Sequence, residues 1–204
     1  PAGVCIAGYA GTAAVNWLCL GRIHCASDPV EGIPRASVMA AAFFVASWIH
    51  IPVPPTSVHL VLTGLMGVIL GWYAFPAILM GLFFQAVLFG HGGLTTLGVN
   101  ALTIGLPSLI AFAIFRLRRR FGKGRFPTMI LGFLAGGLSV AAAAVLTFLV
   151  LIKTIPTYLN VQAEHSAITA LTIAYMPIAL LEGIFTALVA VFLLKVKPEM
   201  LEEQ

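Results

Sequence analysis

Long apolar runs separated by short polar breaks dominate this chain. The run 3–20 ends before Gly21-Arg22, and charge returns in Arg22, Asp28, Glu31 and Arg35 before a second run, 36–51. The segment Pro52-Val53-Pro54-Pro55-Thr56-Ser57 cannot remain helical, because proline lacks the amide proton and restricts the residue before it. A hydrocarbon core of about 30 Å takes about 20 apolar residues per helix. His59 to Phe89 is therefore too long for one crossing, and Gly71 and Pro76 divide it into 59–71 and 75–90. Gly90-His91-Gly92-Gly93 closes the fourth run, and 97–115, 128–152 and 168–194 follow. The pattern predicts an all-α polytopic membrane protein with seven transmembrane helices, 1–204 forming one transmembrane domain.

Composition agrees. Only 9% of residues are charged and 60% are hydrophobic, with a mean hydropathy of +1.05. Soluble domains carry about a quarter charged residues, so a soluble enzyme, a nucleic-acid-binding module and a disordered chain are excluded. The net charge of +4 matters less than its placement. With seven spans, one side receives Arg22, Arg35, Arg116, Arg118, Arg119, Arg120, Lys123, Arg125, Lys195 and Lys197, the other only Lys153. This positive-inside bias predicts an external N-terminus and a cytoplasmic C-terminus. The run Arg116 to Arg125 reads as a topology anchor meeting anionic lipid headgroups, the alternative being a docking site for a cytoplasmic or membrane partner. Cys5, Cys19 and Cys25 lack metal or disulfide spacing and read as packing residues. The chain opens at Pro1 without a basic n-region, so 1–20 is not a signal peptide and the native start is expected to be missing.

Under that topology His50, His59, His91 and His165 lie at the external end, and His24 alone is cytoplasmic. Imidazole suits Co²⁺, Ni²⁺ and Zn²⁺. No matching set of aspartates accompanies them, which argues against Ca²⁺ or Mg²⁺. Spread over separate helix ends, four histidines cannot all reach one ion. Glu182 is the only ionisable residue deep in a helix and should face the bundle interior, in a structural hydrogen bond to a neighbouring helix or, in the alternative reading, in the conformational pathway or at the contact with a transmembrane partner. Asn16, Gln85 and Asn100 read as interhelical hydrogen-bonding residues, Asn100 orienting the Gly-rich loop. Ala7, Gly11 and Ala14 put small side chains on one face of the first helix. No nucleotide-binding loop occurs, Gly122-Lys123-Gly124 being a basic turn, and no HExxH or paired carboxylates appear. A single buried Glu without an internal repeat speaks against a proton-coupled carrier.

Three segments carry a family resemblance. Ile51-Pro52-Val53-Pro54-Pro55-Thr56-Ser57-Val58-His59-Leu60 resembles the "FPVPxGTSxHL" segment of the CbiM/NikM family. Gln85 to Asn100, reading QAVLFGHGGLTTLGVN, is similar to its "QALLFGDGGLTALGAN". Tyr175 to Thr186 is similar to its last-helix "EGxxT" block. These are the membrane substrate-binding (S) components of energy-coupling-factor cobalt and nickel transporters.

The resemblance implies a seven-helix protein of the cell (plasma) membrane that captures Co²⁺ or Ni²⁺ at its outer face as transported substrate. It implies His59 as the main ligand from the body of the chain. The other ligands would come from the amine, a backbone nitrogen and the imidazole of a Met-His start, absent from Pro1-Ala2-Gly3. His91 stands where the family often has Asp, and it and His50 are lesser candidates outside the ion's own ligands. The implied partners are a transmembrane scaffold (T) subunit, ATP-binding subunits and a small accessory membrane protein in the cobalt group. The chain is expected to be no enzyme, to bind no nucleotide or nucleic acid, and to favour cobalt over nickel. Competing readings are a stand-alone secondary transporter or channel for a divalent transition metal, and a structural membrane subunit with incidental histidines.

Overall fold

A computed structural model describes every residue except 1, 27, 54–55, 91, 123, 156–159 and 203–204; at 50–53, 56–59 and 202 it describes backbone alone. The elements are α1 (Ala2–His24), α2 (Ile33–Ala46), a hairpin of β1 (His50–Val53) and β2 (Thr56–His59), α3 (Thr63–Leu70), α4 (Ala74–Phe89), α5 (Leu97–Arg116), α6 (Arg118–Phe121), α7 (Arg125–Lys153), α8 (Val161–Val196) and α9 (Glu199–Glu202). Local chemistry sets several boundaries. Proline stands at the start of α2, Asn160 caps α8 by accepting from the N–H of Gln162 and Ala163 at 3.1 and 3.2 Å, and Gly90 at φ +65 closes α4.

Among the described residues, five segments are long and apolar enough to cross a membrane: Ala2–His24, Thr63–Phe89, Leu97–Phe121, Arg125–Lys153 and Val161–Val196. The chain is a polytopic helical membrane protein. Two of the expected runs differ in form. The run 36–51 is helical only to Ala46, where the Ser47 hydroxyl turns back onto the Phe44 carbonyl at 2.7 Å. His50 therefore lies in a strand, not at a helix end. The run 59–71 contracts to the eight residues of α3, because Thr56–His59 pairs with His50–Val53 instead. Between α3 and α4, Gly71 takes φ +56 and a single 3-10 turn, Gly71–Tyr73, reverses the chain. Pro76 sits in the first turn of α4, where a missing N–H costs nothing.

The eight residues of α3 are all buried, and α5, α7 and α8 pack around them. Close approach requires glycine at two points. A side chain at Gly64 would overlap the Gly136 backbone of α7, and one at Gly67 would overlap the Ser108 carbonyl of α5. The inward stripes of α7 and α8 repeat every three to four residues. They carry small groups, Ala135, Gly136, Ser139 and Ala143 meeting Ala179, Gly183, Thr186 and Ala187. On α1 the buried stripe is Gly8, Thr12, Cys19 and Ile23; Gly11 meets Leu102, while Ala7 and Ala14 are exposed. All three cysteines are free.

The two ends of the bundle differ. At one, the hairpin, the C-terminal ends of α2 and α4 and the Gly-rich loop gather; the Trp48 and Phe89 rings meet edge-on at 4.1 Å. At the other, Arg22 lies over the Trp72 ring at 5.3 Å, Arg35 donates to the Met200 carbonyl, and Tyr73 donates to the Pro29 carbonyl.

Candidate metal-capture site

The proline-rich segment builds the hairpin. Its antiparallel register pairs His50 with His59, Ile51 with Val58, Pro52 with Ser57 and Val53 with Thr56. The side chains of His50 and His59 lie outside the described residues, as does the whole of His91. Beyond His59 the chain runs through Leu60, Val61 and Leu62 into α3. Leu62 holds φ +52, the one non-glycine residue at positive φ among those described. Such a backbone costs an L-residue about 1–2 kcal/mol, so neighbouring structure must hold it.

That structure is Glu182. Its Oε1 accepts the Val61 N–H, and the carboxylate also faces the Leu62 amide. Glu182 lies in the buried stripe of α8 at 1% exposure, as its place in an apolar run predicts. Its Oε2 has no partner among the described residues. The surroundings are polar and closed to solvent. Thr63 and Ser139 are hydrogen-bonded at 3.3 Å, Ser139 donates to the Gly136 carbonyl at 2.9 Å, and Gly136 packs against the Glu182 backbone.

Val61 also lines a cavity of about 390 Å³ whose polar wall comes from Gln85, Asn100, Thr103, Thr147 and Tyr175, with Gly92 and Gly93 above. Gln85 joins α4 to α2 by donating to Ser47 Oγ at 2.9 Å, the interhelical role read from its sequence position. Asn100 packs under the loop: Gly92 holds φ +73, and a side chain there would sit 2.5 Å from Asn100 Nδ2. The Thr96 hydroxyl donates to the Gly92 carbonyl. At the rim, Tyr9 of α1 donates to the Leu94 carbonyl, and Thr12 donates to the Gly98 carbonyl at 2.7 Å. Asn16, one turn further on, leaves Oδ1 buried without a partner among the described residues. A larger groove of about 540 Å³ beside α2 and α4 is walled mainly by carbon, including Ile33, Ala40, Phe84 and Leu88, and offers no set of metal ligands.

His165 lies apart, exposed on the first turns of α8 with its ring 6.4 Å from that of Phe148; His24 ends α1. Among the described residues no three His, Cys, Asp or Glu converge as a metal site. Sequence reasoning missed Val61 as the partner of Glu182 and the contribution of Thr147 and Tyr175 to the cavity. Tyr175 stands within the block that carries the family resemblance, but Thr147 gives no signal beyond being one hydroxyl in an apolar run.

Comparison with known proteins fits this architecture. The family description "CbiM: Cobalt uptake substrate-specific transmembrane region" matches residues 1–200. A Haemophilus influenzae protein assigned to metal transport is 36% identical over 172 residues, covering 84% of this chain and 81% of its own. The fused nickel transport protein NikMN of Rhodobacter capsulatus is 32% identical over 84% of this chain and 53% of its own length. In fold, the chain matches the crystal structure of a truncated transition-metal transporter with a TM-score of 0.80, at 22% identity and over 96% of this chain and 95% of that one. By its family match over residues 1–200 and its sequence identity to these relatives, this chain belongs to the CbiM family of membrane components for cobalt and nickel transport.

Proposed function

We propose that this chain is the substrate-capturing subunit of an ATP-driven energy-coupling-factor importer, taking Co²⁺ or Ni²⁺ at the outer membrane face. The observation that carries the reading is the hairpin. His59 ends β2 two residues before Val61, which lines a polar-walled cavity at that end. Late first-row metals are discriminated by ligand arrangement more than by raw affinity. A proline-stiffened ladder suits that task, since it presents a nitrogen ligand from fixed backbone. In this reading His59 is the main ligand, with His50 and His91 close to the ion but outside its ligand set. The chain crosses the membrane seven times, the hairpin and α3 together making the third crossing. Its hairpin end is external, and its arginine-rich end, with Arg22, Arg35 and Arg118, is cytoplasmic.

Energy comes from elsewhere. The chain carries no nucleotide-binding loop, and the fused NikMN relative is a case of such a component joined to another transport part. The partners in this reading are a transmembrane scaffold subunit and ATP-hydrolysing subunits in the cell membrane, with cobalt the preferred ion. A proton-coupled carrier finds little support, as Glu182 already serves a backbone amide. The test is Co²⁺ and Ni²⁺ uptake in cells with and without the ATPase genes. Uptake is expected only with them, and the purified chain should hydrolyse no ATP. Proton-driven accumulation by this chain alone would overturn the assignment.

A further inference from the structure

We propose that Glu182 is a positioning residue for metal capture: from α8 it fixes the backbone at Val61 and thereby sets the place of His59. This rests on the reading of His59 as a ligand. Three observations converge on it. First, Val61 and Leu62 fall between the β ladder and α3, where neither element supplies a partner for their amides. The first N–H groups of any helix lack intrahelical acceptors, and the N-cap of α3, Leu62, has no side chain that could cap it. In an apolar bundle no bulk water replaces such a partner. Glu182 provides the acceptor from another helix.

Second, the carboxylate is committed to this task. It is 1% exposed, and its other oxygen engages no cation or hydroxyl among the described residues. Third, its support is rigid. Gly136 of α7 is packed on one side by Gly64 of α3 and on the other by the Glu182 backbone, so the start of α3 and the carboxylate share one glycine contact. From Val61 to His59 the chain reaches at most ~7 Å. A shift of the Val61 amide therefore passes to the ligand nearly undiminished, and ligand geometry must be held within about 0.5 Å to be effective.

The experiment is calorimetric titration of Co²⁺ into the full-length protein in detergent, with the Co²⁺ absorption spectrum and the melting temperature recorded for each variant. Glu182→Asp keeps the charge but retracts it by one methylene, beyond reach of Val61. Its Kd should rise about 10- to 100-fold, as when the partner of a metal ligand is lost, with altered Co²⁺ bands. Glu182→Gln keeps a neutral oxygen at the same reach and should lose less. A merely structural role lowers the melting temperature or the bound stoichiometry and leaves the Kd of the folded fraction and its spectrum unchanged; that result for Glu182→Asp overturns the proposal. Should the Asp variant not fold, Glu182→Gln decides by the same criterion. His59→Ala separates the two readings. If it binds as tightly as the parent, the ligand assignment fails and the inference with it. If it loses binding while Glu182→Asp does not, the inference alone fails.

Discussion

His50 and His59 are register partners at the open end of the hairpin, the pair farthest from the residues that join its strands. Directly opposed residues in an antiparallel ladder hold their Cα atoms about 4.5–5.5 Å apart. The backbone of His50 is therefore the cross-strand neighbour of the proposed ligand. On this basis His59→Ala should weaken Co²⁺ and Ni²⁺ binding by several kcal/mol, against total energies of ~10–16 kcal/mol for protein metal sites. His50→Ala and His91→Ala should cost about tenfold at most. His165→Ala, whose ring stands against Phe148, should leave affinity unchanged. Calorimetry on the full-length protein checks the ranking, and an unaffected His59→Ala would sink it.

At the arginine-rich end, Arg118 is 3% exposed and binds three elements together. It donates to Thr128 Oγ1 and to the Leu201 carbonyl, each at 3.2 Å, and lies over the Phe115 ring at 5.2 Å. Arg118→Ala should destabilise the fold by about 1.5–3 kcal/mol, the range for hydrogen bonds to a charged group. Arg118→Lys should not restore it, because an ammonium lacks the planar fork that reaches both acceptors. Thermal melting and proteolysis of α9 measure the effect.

The approach of α3 to α5 gives a paired test. Gly67→Ala would drive a methyl group into the Ser108 carbonyl and to 2.9 Å from the Ala111 side chain. It should lower stability by about 1–3 kcal/mol or more. Gly21→Ala, with nothing within 4 Å of the added carbon, should be neutral or stabilising by up to about 1 kcal/mol. Equal melting temperatures for the two would contradict the packing described.

Orientation is open to labelling. Phe121 is 69% exposed in the arginine-rich segment. A cysteine introduced there, after replacement of Cys5, Cys19 and Cys25, should react with an impermeant maleimide only once cells are opened. Ready labelling of intact cells would invert the proposed topology.

The sequence shows where the long helices run, because a membrane helix declares itself by uninterrupted apolarity. The runs 3–20, 97–115, 128–152 and 168–194 all lie within α1, α5, α7 and α8, although α8 begins seven residues before its run. What it conceals lies around His50 to Thr63. There apolarity continues through a strand pair and an eight-residue helix, and hydropathy alone does not distinguish a short strand from a short helix. The prolines mark the break without revealing the ladder. Glu182 is legible as a buried group, since a carboxylate in an apolar run must face inward. Its partner is not, because Val61 is 121 residues away and donates through a backbone amide that every residue type possesses.

Pro52, in β1, bears on how this protein meets its neighbours. A ladder of only two strands has two bare edges, and bare edges recruit strands from other chains. Proline has no amide hydrogen to give, so β1 cannot present an unbroken row of donors to an incoming strand. Copies crowded together in a bilayer thus meet an interrupted row of donors along β1, one of the two edges from which a larger sheet could grow. The residue that stiffens the hairpin also breaks the continuity of its first edge.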